Sequence, residues 1–94
     1  MNKKEFILFL KKDENNLTEK GIKSRITKAN KAESILRKEF DFLDLIVKSD
    51  DIMLNSLNIL QKFEDKKHNQ MQNALRKYYK FKNGKEFPHK KDFE

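Results

Sequence analysis

The chain predicts an all-α fold, a compact orthogonal bundle of four to five helices, and three observations predict it. Two glycines and one proline are too few for the dense turns of a sandwich or barrel. Apolar residues recur at i, i+3, i+4 and i+7 in successive segments, the spacing of one buried helical stripe. Polar residues that favour caps and turns stand between those segments. With 94 residues there is room for one core, since two would each fall below the size at which a domain folds alone. One helical domain over 1–88 is therefore expected, with a short tail over 89–94.

The first helix is expected over Asn2–Lys12, with Phe6, Phe9 and Leu10 on one side and lysines around them. Asp13 to Asn16 end it. Thr18 then offers an N-cap, and Glu19 places a carboxylate in the first turn, where the helix dipole favours it. The stripe Ile22, Ile26, Ala29, Leu36, widened by Ala32 and Ile35, carries a second helix over about Glu19–Lys38. Gly21 weakens its start, and fraying or a close backbone approach is expected there. The apolar run Phe40–Val47 alternates like a strand, but a lone strand has nothing to pair with. A short helical turn that drops Phe40, Leu43 and Ile46 into the core is the expectation.

Ser49 or Asp50 then caps a third substantial helix over about Asp51–Phe63, with Met53, Leu54, Leu57 and Leu60 inward. After a polar connection, Asn69 is the expected cap of the last long helix. Its stripe is Met71, Ala74, Leu75, Tyr78 and Phe81. Asn83 and Gly84 stop it, because both tolerate the left-handed conformation that closes a helix. Phe87 is expected to fold back on the core, with Phe93 the one tail residue able to dock.

Net charge is +7 and is segregated along the chain. Residues 18–38 carry seven basic and two acidic groups, +5; residues 39–65 carry two and seven, −5; residues 66–94 carry nine and three, +6. Two basic blocks that converge in space make a field suited to a polyanion, while the acidic block is expected on the side away from it. The phosphate candidates are Lys20, Lys23, Arg25, Lys28 and Lys31 in the second helix and Arg76, Lys77, Lys80, Lys82 and Lys85 near the end. Arg25 and Arg76 are the candidates for reading a base, because a planar guanidinium bonds guanine through two donors. The plain alternative for each lysine is a solvated surface charge.

Other chemistry finds little support. Without cysteine there is no disulfide framework, thiolate zinc site or cysteine nucleophile. His68 and His89, the only histidines, lie twenty-one positions apart in polar surroundings and are not read as a metal site, and Asp41, Asp44, Asp50 and Asp51 lack the glycine and glutamate of a calcium loop. Tyr78 lies on the apolar stripe and is read as core; Tyr79 lies off it and is expected to be freer to touch a ligand. No enzyme, no metal, no cofactor and no small-molecule substrate are expected. The run Phe6–Leu10 is too short for a signal peptide or a span, so a soluble, cytoplasmic protein without a membrane partner is the expectation.

The order of a short helix with Phe6, Phe9 and Leu10, then LTEKGIKSRI, a connecting helix and a final ALRKYYKF resembles the N-terminal SAM-like, or core-binding, domain of phage integrases and other tyrosine recombinases. Leu17, Thr18, Ile22 and Ile26 occupy the roles of the leucine, the cap and the inward-packing residues of that family's second segment. The resemblance implies a helical module that clamps one side of duplex DNA, with its second and last long helices toward the major groove. Gly21 stands where a Thr is usual. The Arg, His and nucleophilic Tyr constellation of a recombinase is not present, so a freestanding module is expected. The leading expectation is a small non-enzymatic binder of duplex DNA. The alternative is an inhibitor or adaptor, encoded by a phage or mobile element, that docks on a host nucleic-acid enzyme.

Overall fold

The computed structural model describes residues 2–13, 18–37, 43–64 and 69–88. They form five helices: α1 Lys3–Asp13, α2 Glu19–Leu36, α3 Leu43–Ile46, α4 Asp50–Gln61 and α5 Gln70–Asn83. The all-α bundle is as expected, and its longest dimension is 33 Å. None of these helices is long and apolar enough to cross a membrane. Phe40, His68, His89 and Phe93 lie outside the described residues.

Local chemistry accounts for most of the helix ends. Thr18 Oγ1 accepts the Gly21 N–H at 3.1 Å, which ties down the turn expected to fray. Ser49 is the cap of α4, its Oγ accepting from Ile52 N at 3.4 Å, and Asp50 is left as the first helical residue. Gly84, at φ 73°, closes α5 in the left-handed region, with its N–H on Lys80 O at 2.8 Å. Three helix ends differ from expectation, among them that of α4, which stops at Gln61, two residues before Phe63. Helix α2 stops at Leu36 with Arg37 as its C-cap, two residues early. Asn69 holds the N-cap position of α5, but its side chain makes no cap bond. The carboxylate of Glu64 takes that role, accepting from Met71 N and Gln72 N, two of the donors that a helix start leaves open.

The apolar stripes meet in one core. Phe6, Leu10, Ala29, Ala32, Leu36, Leu43, Ile46, Met53, Leu60, Ala74, Leu75 and Tyr78 are almost wholly buried, and Phe87 folds back into the same cluster. Phe9, Ile26, Ile35, Leu54 and Phe81 are half-buried at its margin. Phe6 packs edge-on to Tyr78, centroids 5.0 Å apart, and stacks on Phe81 at 5.6 Å, so α1 closes over α5 through aromatic faces. The small Ala29 and Ala32 of α2, with Ala74 of α5, are all fully buried. Side chains that short let helices pack closely, and α2 lies along α5.

Candidate nucleic-acid interface

The cationic faces of α2 and α5 share a groove. On α2, Gly21, Ser24, Arg25 and Lys28 fall at i, i+3, i+4 and i+7 and form one wall. On α5, Asn73, Arg76, Lys77 and Lys80 fall at the same spacing and form the other. The groove consists of two cavities that share Arg25 and Asn73. The first, of about 250 Å³, is bounded by Gly21, Ser24, Lys28 and Gln70. The second, of about 160 Å³, is bounded by Arg76, Lys77, Lys80, Glu86 and Phe87. Five cations from two helices thus face one concavity. Among the described residues, no carboxylate of the acidic block lines it; Glu86 is the acidic residue on its rim.

The candidate residues divide by position. Arg25, Lys28, Arg76, Lys77 and Lys80 line the groove. Lys23 instead borders a separate apolar cleft between α1 and α2, with Ile7, Lys11, Ile22 and Ile26, because it sits on the α1-facing flank of its helix. Lys82 is turned to the opposite side of α5, where its Nζ lies 3.4 Å from Asp44 and 5.1 Å from the centre of the Phe81 ring. Lys20, Lys31 and Lys85 are exposed and line neither groove cavity.

Arg76 has a structural task within the groove. Its Nη1 donates to the carbonyls of Phe87 and Pro88 at 3.2 and 3.3 Å, and its guanidinium lies 5.6 Å over the Phe87 ring. Burial lowers its pKa from the ordinary arginine value. The guanidinium expected to read a base is therefore committed to holding the segment after α5. No sequence pattern announced this, because it depends on where Gly84 sends the chain.

Tyr79 is corrected more sharply. Expected to be free of the core, it is 2% exposed, its hydroxyl donates to Asp50 Oδ1 at 2.8 Å, and its ring meets Phe87 edge-on at 5.0 Å. Burial, then the bond to Asp50, raises its pKa. The reason is that α5 is buried along two flanks: α1 and α3 cover Tyr78, while α4 and the returning segment cover Tyr79. Asp44, and Asp50, which the sequence offered as a cap, are the acceptors for these two buried hydroxyls. The cue in the sequence was a Tyr-Tyr pair facing an acidic block, since a buried phenol takes a hydrogen-bond partner.

Among the described residues, no three His, Cys, Asp or Glu side chains gather as metal ligands. No protein-family model, curated protein or solved structure matches the chain.

Proposed function

We propose that this chain is a non-enzymatic DNA-binding module whose α2–α5 groove takes the phosphate backbone of duplex DNA. The observation that carries the reading is the convergence of Arg25 and Lys28 from one helix with Arg76, Lys77 and Lys80 from the other on two adjoining cavities that share Arg25 and Asn73. Cations on both walls of a groove focus a positive field along it, which attracts a polyanion and orients it lengthwise. Among the described residues no carboxylate of the acidic block lines the groove, so nothing from α3 or α4 opposes a phosphate there. Phosphate contacts position a protein on the duplex without reading its sequence. Arg76 is committed to Phe87 and Pro88, so its guanidinium holds the segment after α5 and is not available to read a base. The arrangement suits the core-binding module that the helix order resembles.

Charge reversal at Arg25, Lys28, Lys77 and Lys80 together tests the reading. Arg76 is left in place so that the fold is not disturbed. Duplex affinity at low salt is expected to collapse, and Lys23→Glu, on the other flank of α2, is expected to leave most of it. The wild-type protein is expected to show a log–log salt slope of about −2 to −4, from roughly −0.9 per phosphate contact. Unchanged low-salt affinity in the fourfold variant rules the proposal out.

A further inference from the structure

The second cavity of the groove has one feature that a plain cationic cleft lacks. Gly84 turns the chain back at the end of α5, and Arg76 fastens it again at Phe87 and Pro88. Phe87 is buried against Tyr79, so the strap between these anchors is fixed at both ends. Glu86 lies between them. Its side chain is 74% exposed, yet it borders the same 160 Å³ space as Arg25, Arg76, Lys77 and Lys80. Its Oε1 stands 3.9 Å from Lys80 Nζ.

We propose that this cavity is a seat for a single phosphate group and that Glu86 covers it as a built-in competitor, displaced when a backbone phosphate enters. The inference rests on the DNA reading for the source of the phosphate. The cavity is large enough to admit a phosphate group. An ion pair at 3.9 Å whose carboxylate is mostly in water is weak. A phosphate brings unesterified oxygens that accept several charge-assisted bonds at once, so it outcompetes one carboxylate for the same cations. Until then Glu86 lowers the net positive charge that this end of the groove presents. It thereby restrains binding to anything less anionic than a phosphate backbone.

The test compares wild type, Glu86→Gln and Glu5→Gln in a salt-resolved titration against one duplex. Glu5 is exposed on α1 and controls for the change in net charge. Glu86→Gln is expected to bind about three- to tenfold more tightly at low salt. Its log–log slope should be steeper by about 0.9, one further effective phosphate contact. Glu5→Gln should match wild type in both, and the Phe87 resonances should stay in place in every variant, reporting an intact strap. Equal affinity and slope for Glu86→Gln and Glu5→Gln overturn the proposal while leaving the DNA reading standing. If none of the three proteins binds duplex DNA, the DNA reading fails by itself. Titration with inorganic phosphate, followed by NMR at Lys77 and Lys80, then decides. Tighter phosphate binding by Glu86→Gln upholds the seat, and equal binding overturns it.

Discussion

The hydroxyl of Tyr78 donates to the carboxylate of Asp44, 34 positions earlier in the chain, and so fastens α5 to the short helix α3. The same oxygen accepts the Asn2 N–H at 2.9 Å, which brings the start of α1 to the joint. Tyr78→Phe keeps the ring and its aromatic contacts but removes both roles of the hydroxyl. It should cost about 1–3 kcal/mol, because a hydrogen bond to a carboxylate is lost and the Asn2 N–H loses its acceptor, while Asp44 keeps Lys82. Urea denaturation of the two proteins measures this, and a loss under about 0.5 kcal/mol would mean that water replaces the bond.

Asp44 and the two tyrosines give the stability opposite dependences at the two ends of the pH scale. Burial alone would raise the pKa of Asp44, but the Tyr78 hydroxyl and Lys82 outweigh it and hold the carboxyl below its ordinary value. A lowered folded pKa stabilises above the unfolded value of about 4 and ceases to do so as pH falls through the folded value. The gap between wild type and Tyr78→Phe should therefore narrow in acid. Burial, then the bond to Asp44, raises the pKa of Tyr78, and burial, then Asp50, raises that of Tyr79. Raised values stabilise fully below the unfolded value of about 10, and that contribution is lost as pH rises through the folded values. Alkaline unfolding that coincides with the appearance of tyrosinate absorbance is the expected sign; free titration of both tyrosines near pH 10 in the folded protein would contradict it.

Arg76→Ala should release the strap. It removes two hydrogen bonds to main-chain carbonyls and the cation over Phe87, a loss of about 1–3 kcal/mol. Phe87 chemical shifts should move toward those of an exposed ring. If Phe87 stays packed and stability is unchanged, Tyr79 alone holds the segment.

The cap of α5 separates two residues that look interchangeable in sequence. Glu64→Ala should cost about 1 kcal/mol, the usual loss for an N-terminal cap, because Met71 N and Gln72 N lose their acceptor. Asn69→Ala should cost much less, since the Asn69 side chain makes no cap bond and, among the described residues, accepts from the amide of Asn73. Thermal melts of both variants check the order, and the reverse order would restore Asn69 as the cap.

Ser56 is wholly buried in α4, and its Oγ has no hydrogen-bond partner among the described residues. Ser56→Ala should stabilise by about 0.5–1.5 kcal/mol, through a lower desolvation cost and a better helix former. A destabilised alanine variant would show that the hydroxyl is solvated by a buried water.

Periodicity and capping chemistry made the helices legible. The stripes of α2, α4 and α5, the Thr18 and Ser49 caps and the Gly84 stop follow from interactions within a few residues of one another. Tyr79 and Glu64 were not legible in this way, because their partners lie 29 and seven to eight positions away and enter only when the helices are packed. For the groove, the sequence named the cations but could not sort them. Lys23 and Lys28 look alike on one helix, and the side of α2 that α1 covers decides which of them shares a concavity with α5.

By itself, then, the sequence determined an all-α chain with two basic helical segments flanking an acidic one, since composition, spacing and caps are local properties. Only the tertiary structure decided that α2 lies along α5, that five of the ten candidate cations line one groove, and that Arg76 is turned to hold Phe87 and Pro88. The physical reason is that a helix has several faces, and burial of the apolar one against particular neighbours fixes where the charged ones point.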